Sequence, residues 1–419
     1  MNFVEFVFLL GFVETVILFL YAIRWYLFAF VSLKSKPADY PRKHKCNPHS
    51  PFVSILLPIY NEPNVVDRLL GACTSFNSPE YEVIVVDDSD DGITRDQLKF
   101  WCNHPKVKLF HRSSRDGWKG GALNVGLDHS NPKSTHVLVF DADFVPPTDL
   151  VSRFLDRFAN DEVVAVQGYQ KHDLNADENW ITKGVRVWTS MYNMVELNGR
   201  QRLGLFSTLT GCVSMVRADV LRKLRFEEVT DEDWNLTMRL YENGYKILYD
   251  QRLAASGECP STLRRFFRQQ ARWAEGHTRT FRSHFLKIWR CRFIKLRKKI
   301  DFVFVGCSFL NSALVVALTV AGLITLMFPR AYFALPLVQT GFLLLLASVP
   351  AAFMTSLVAL SLEGAQKDFR KIGYAWLLNF IVTPVFAFAA LKGLFTRNGY
   401  FRRTYKTGRI VRKRLGRDR

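Results

Sequence analysis

The chain has 419 residues, 57 Lys and Arg against 38 Asp and Glu, and a formal net charge of +19. That length holds a large catalytic domain with further segments, and the charge calls for an anionic partner, either nucleic acid or an acidic membrane surface. Long apolar runs at both ends favour the membrane and speak against nucleic acid, while seven cysteines (46, 73, 102, 212, 259, 291 and 307) without a CxxC pair argue against a disulfide framework or a zinc site.

The first segment, residues 1–33, reads as a transmembrane helix. Its apolar run from Phe6 to Val31 is long enough to cross a bilayer and lacks the basic start and cleavage site of a signal peptide. Arg24 lies near one end, where it can snorkel. Glu14 is deeper and calls for a polar contact with another helix or a wet cavity. Lys34, Lys36, Arg42, Lys43 and Lys45 follow, which places that side in the cytoplasm and the N-terminus outside.

From residue 46 to about 260 the pattern is that of a water-soluble α/β domain. Phe52–Pro58, Tyr81–Val86, Val107–Phe110, Thr135–Phe140 and Val163–Gln167 read as strands, and Asn64–Phe76 as an amphipathic helix. Strand–helix–strand order implies right-handed crossovers and a mostly parallel, Rossmann-like sheet. Such sheets bind ligands beyond the carboxyl ends of their strands.

Polar residues collect at those ends. Asp87 and Asp88 follow the second strand, where a carboxylate can accept from a base edge or a ribose; a plain polar turn is the competing reading. Lys119, Gly120 and Gly121 precede an apolar-periodic stretch, as if a helix start offered its N–H groups to phosphate. Asp141 and Asp143 follow the buried strand Val137–Phe140. Two apart on an extended chain, they point the same way and suit a hard divalent cation completed by substrate phosphates. Downstream, Thr230 or Asp231 can cap a helix that carries Glu232 and Asp233 in its first turn; the functional reading of these acids is a base for an attacking hydroxyl. Arg272 offers a fork for phosphate and Trp273 a flat face for a sugar ring, within a basic, aromatic segment (261–300) that also suits a helix lying on the bilayer.

In this order the motifs resemble a membrane-embedded family 2 glycosyltransferase of the GT-A fold, the cellulose, mannan, chitin and hyaluronan synthase type. Their wording is closest to the mannan synthase-like branch. Pro58-Ile-Tyr60-Asn-Glu62 resembles the family's first loop, Asp87-Asp88 its uridine-side aspartates, and Lys119-Gly120-Gly-Ala-Leu-Asn124 its KAGxLN segment. Asp141-Ala-Asp143 resembles DxD, and Gln269-Gln-Ala-Arg272-Trp273 resembles QxxRW. The family's Thr-Glu-Asp reads Thr230-Asp231-Glu232-Asp233, one residue longer, with Asp233 the favoured base and Asp231 the runner-up. The resemblance implies substrate contacts at these positions and at Gly211, and Mg²⁺ or Mn²⁺ on Asp141 and Asp143. The FxVTxK gating segment of the cellulose synthases has no counterpart, so the resemblance implies neither processivity nor cellulose as the product.

Between 301 and 396 lie three apolar blocks, Phe302–Phe328, Tyr332–Leu362 and Ile372–Phe395. Three crossings would put the C-terminus outside, whereas the basic tail (397–419), with Arg402, Arg403, Lys406, Arg409 and Arg412–Arg414, belongs inside. One block is therefore expected to be broken, re-entrant or non-spanning. The expectation is an integral membrane enzyme with a cytoplasmic catalytic domain. It moves a hexose from UDP- or GDP-sugar to a growing β-linked polysaccharide. A lipid acceptor is the alternative, and a non-catalytic scaffold the outsider.

Overall fold

The structure, a computed structural model, describes residues 3–34, 51–78, 80–158, 162–325, 335–397, 399 and 404–411. The basic positions Lys36, Arg42, Lys43, Lys45, Arg402, Arg403 and Arg412–Arg414 lie outside the described residues.

Helix α1 (Phe3–Lys34) is apolar on all sides, as befits a helix with no aqueous face. After it come β1 (Phe52–Ile59), α2 (Val66–Thr74), β2 (Glu80–Asp87), α3 (Gly92–Trp101), β3 (Val107–His111), α4 (Trp118–Asp128), β4 (Ser134–Val139) and α5 (Leu150–Leu155). The second half of the domain runs β5 (Val163–His172), α6 (Trp180–Ser190), a π-helical segment Met191–Leu197, α7 (Asn198–Arg202), β6 (Ser214–Arg217), α8 (Ala218–Leu224), α9 (Glu232–Glu242) and β7 (Lys246–Gly257). The strands form one sheet in the order β3-β2-β1-β4-β6-β5-β7. Only β6 runs antiparallel, bonded to β4 on one side and β5 on the other. It is four residues long and carries no alternation strong enough to announce it.

β1 sits at the switch point, paired with β2 on one edge and β4 on the other. Its alternation divides the core. Ile55 and Leu57 face α2 and α5 through Leu69, Leu70 and Phe154, while Leu56 joins Ile84, Val139, Leu123 and Trp234 on the opposite face. Pro58 does not end β1, which continues to Ile59 opposite Asp87.

The remaining helices are α10 (Leu263–Arg290), α11 (Leu296–Gly306), α12 (Leu310–Thr325), α13 (Leu335–Leu362) and α14 (Ile372–Phe395). Glu5–Lys34, Gln339–Leu362 and Gln366–Phe395 are each long and apolar enough to cross a membrane, and the pair α11–α12 is bent by 52°. The bend falls in the first of the three apolar blocks; the charge of the tail called for a break in one of them without saying which. Residues 404–411 lie against the catalytic domain, with Thr407 N–H on Glu258 and Val411 N–H on the Leu174 carbonyl. This segment is thus a strap held against the sheet domain.

Polar groups in the apolar helices find protein partners. With the Asn311 amide turned so that its nitrogen faces Glu14, it donates to both carboxylate oxygens at 3.1 and 3.3 Å, the interhelical contact expected of an acid at that depth. Arg24 does not snorkel. It forms an ion pair with Asp301 of α11 and lies over the Phe28 and Phe304 rings. The Asp301 carboxylate also accepts from Phe206 N–H, tying the helices to the catalytic domain. α14 docks just as closely on α6, where a Cβ added to Gly184 would come within 2.8 Å of the Tyr374 carbonyl oxygen.

Candidate active site

Beyond the carboxyl end of β4 the chain turns at once. Phe140 N–H still bonds the Leu56 carbonyl, but Phe144 N–H folds back onto the Asp141 carbonyl at 3.2 Å. Asp141 and Asp143 therefore sit in a turn and not on an extended strand, because no neighbouring strand continues to hold that geometry past Val139. Their carboxylates meet different cations. Asp141, with its side chain 39% exposed, takes Lys119 Nζ at 2.8 Å. Asp143, 2% exposed, takes Lys406 Nζ at 2.5 Å.

Lys119 was expected at a phosphate-binding mouth. The structure instead places it in the first turn of α4, reaching across to Asp141, to Glu232 at 3.1 Å and to the Gly211 carbonyl at 2.8 Å. Three acceptors match the three protons of an ammonium. Burial disfavours its charge, but Asp141, Glu232 and Asp233 outweigh that and raise its pKa. Gly211 has φ +76°, and a Cβ there would fall 3.0 Å from Asp233 and 3.1 Å from the Lys119 nitrogen. Gly120 likewise lies inside α4, packed so closely against the loop before α9 that a Cβ would come 2.4 Å from the Glu227 carbonyl oxygen. The start of α4 is itself covered by an acid: a Cβ on Gly117 would land 2.4 Å from Glu228 Cγ.

α9 carries the central carboxylates. Asp233 accepts from Trp234 N–H at 2.8 Å, and burial, then the neighbouring Glu232, push its carboxyl up to about 7. Asp231 occupies the N-cap position without capping: no side-chain cap bond is made there. Its carboxylate turns to α10 instead, against Gly276 and Thr280, and burial raises it to about 6. Arg272 of α10 faces the same group of acids, Glu232, Asp141 and Asp233, and burial lowers its pKa. Gln269 is buried beside Gln270, and Trp273 is 43% exposed.

At the ends of β1 and β2 the arrangement is tighter than a polar turn. Asp87 accepts from Ser89 N–H and pairs with His111 at 3.0 Å. Asp88 is gripped at both oxygens by Arg112, at 2.6 and 2.5 Å, and the same guanidinium reaches the Trp118 carbonyl. Asn61, at φ 53°, bonds Ser89 and Asp90, and the Arg115 guanidinium lies 3.3 Å over the Tyr60 ring. Glu62 is buried at the start of α2, its carbonyl accepting from Val65 and Val66. Asn124 is apart from this group: both ends of its amide are bonded to the Phe226 backbone, at 2.8 and 2.9 Å, clamping the loop that leads to α9.

Several residues of this face escaped the sequence reading. Lys406, Thr407, Glu258, Arg68 and His172 surround Asp143. Arg68 pairs with Glu258 at 2.8 Å, and His172, whose burial lowers its pKa, lies near Asp143. Their signal in the chain is only a charge in a basic tail, on a helix or at a strand end, more than a hundred residues from their partners in most cases.

Among the described residues no group of three or more His, Cys, Asp or Glu forms a metal site by itself. Asp141 and Asp143 nevertheless each hold a cation already, which shows the sign of charge the place accepts. Two carboxylates completed by substrate phosphates are a usual environment for a hard divalent ion, so the residues fit one.

The family model of glycosyl transferase family 2 matches residues 54–225, from β1 past α8. Residues 54–225 thus carry a glycosyl transferase family 2 domain. Within that family its likeness is to the mannan synthase-like branch. Glucomannan 4-beta-mannosyltransferase 9 of Arabidopsis thaliana is 28% identical over 288 residues, covering 66% of this chain and 53% of that protein. Glucomannan 4-beta-mannosyltransferase 1 of Oryza sativa subsp. japonica is 26% identical over 284 residues, covering 63% and 54%. The chain thus spans about half the length of the curated relatives it matches. Among solved structures, the mannosyltransferase PcManGT from Pyrobaculum calidifontis, in complex with GDP-Man and Mn²⁺, superposes with a TM-score of 0.60 at 19% identity, covering 89% of this chain and 99% of that one. That likeness is one of fold, which is GT-A-like.

Proposed function

We propose that the protein is a membrane-bound inverting glycosyltransferase that moves a hexose from a UDP- or GDP-sugar to a growing β-linked polysaccharide. The observation that carries this reading is Asp233: a buried carboxyl raised to about 7, on the face where Lys119, Asp141 and Arg272 converge. Donor binding falls to the loops after β1, β2 and β4, with Tyr60, Asp87 and Asp88 on the nucleoside side. The acceptor hydroxyl attacks the anomeric carbon as Asp233 takes its proton. The bond to the diphosphate breaks on the opposite face, giving inversion. Lys119 holds Asp141 and Glu232 in place, and Arg272 offers its fork to the leaving diphosphate. Mg²⁺ or Mn²⁺ held by Asp141 and Asp143 would neutralise charge on that diphosphate. The three long apolar helices anchor the domain, with the catalytic face and strap in the cytoplasm.

The glucomannan mannosyltransferase relatives favour a polymeric product and a mannose or glucose donor. The deciding experiment is a donor screen with purified protein in detergent, followed by linkage analysis. Incorporation into a β-linked polymer is the expected result. A product wholly extractable into organic solvent, with one sugar per lipid, would replace the polysaccharide reading by a glycolipid one.

A further inference from the structure

Residues 404–411 cross the face that carries Asp143. Asn64 Nδ2 donates to the Tyr405 hydroxyl at 2.8 Å and to the Lys406 carbonyl at 3.0 Å. The Arg265 guanidinium lies 4.5 Å over the Tyr405 ring. Thr407 N–H donates to Glu258 Oε2 at 3.1 Å, and Val411 N–H to the Leu174 carbonyl at 2.9 Å. The segment belongs to neither a helix nor a sheet ladder, so a handful of single bonds holds it. Lys406 brings its ammonium to 2.5 Å from a carboxylate that is almost wholly buried.

A buried carboxylate requires a counter-charge, and here that charge comes from the strap. A divalent ion on the same carboxylate would meet the ammonium at close range in a poorly hydrated place, and the two cations repel. One must leave, and the one tethered by a few single bonds is Lys406. We propose that Lys406 is a built-in stand-in for the divalent cation: ammonium and metal exclude each other at Asp143, and metal loading releases the 404–411 strap from the catalytic face. This rests on the metal reading given above.

The test uses the full chain in detergent without donor. Free Mn²⁺ is followed by EPR during titration of the wild type, Lys406→Met, Lys406→Arg and Asp143→Asn. In parallel, hydrogen exchange is read at the Thr407 and Val411 amides with and without Mn²⁺. Removing the competing charge should tighten Mn²⁺ binding about tenfold or more, as expected when the binding-competent state is a minority. Lys406→Arg should stay near wild type and Asp143→Asn should lose the site. The two strap amides of the wild type should exchange faster once Mn²⁺ is bound. Equal affinities for wild type and Lys406→Met, or strap amides as protected in saturating Mn²⁺ as without it, would overturn the exchange while leaving the metal site standing. Absence of Mn²⁺ binding in every variant would remove the metal reading and this inference with it.

Discussion

Two lysines serve the two aspartates of one turn, and they are built differently. Lys119 extends from the first turn of a packed helix, is met by Asp141, Glu232 and the Gly211 carbonyl, and cannot be withdrawn without unpacking α4. Lys406 reaches Asp143 from the far end of the chain, on a segment with no regular secondary structure. The same ammonium chemistry is thus a fixed part of the scaffold at one carboxylate and a detachable one at the next. The difference lies in how many backbone bonds must break to move the charge.

The largest effect expected falls on the fixed half. Asp233→Asn keeps the shape of the acid but cannot take a proton, so turnover should drop by roughly 10²–10⁴-fold while donor affinity stays near wild type. Asp231→Asn should cost far less. If Asp231→Asn is the dead enzyme and Asp233→Asn remains active, the base has been assigned two residues too late. Steady-state turnover and a donor-binding isotherm on both variants decide it.

Stability separates the two lysines next. Lys119→Met leaves the buried Glu232 carboxylate without its cation and should cost on the order of 3 kcal/mol, read as a lowered Tm in detergent. Mn²⁺ should not restore it. Lys406→Met also strands a buried carboxylate, yet its loss should be recovered by Mn²⁺. Recovery of both, or of neither, would abolish the distinction between fixed and detachable charge.

A pH effect follows from Asp233. Its carboxyl is raised from 3.8 to about 7, so the base form is lost as pH falls, and kcat/KM should decline below about 7. The sign for stability is opposite. The folded state holds this proton more tightly than the unfolded chain, so the group's contribution is full below 3.8 and is lost as pH rises through about 7. The smallest effect is a shift of that kinetic limb. Asp231 adds to the field that raises Asp233, so Asp231→Asn should move the limb to lower pH by a fraction of a unit. A limb unchanged in Asp233→Asn would assign it to another group.

Local pattern was enough for much of this. Five strands, the apolar blocks and the order of the acids along the chain were readable because burial forces periodicity on a strand and length on a membrane helix. The basic tail was enough to call for an irregular block among the three, but only the structure shows which one bends, by 52°. What the chain could not show was direction and distance. Gly120 and Gly121 read as a phosphate loop, yet they lie inside α4, since a glycine demanded by close packing looks the same in sequence as one demanded by a ligand. The Asp141–Asp143 spacing predicted two carboxylates side by side, but a turn needs only the end of strand pairing, which depends on the neighbour and not on the residues themselves. Asp231 sits where a cap belongs and does not cap, because α10 offers Gly276 and Thr280 against it. Lys406 meets Asp143 across 263 residues. No periodicity reaches that far; only the folded chain, by bringing residues 404–411 back against the sheet domain, decides which cation a buried carboxylate receives.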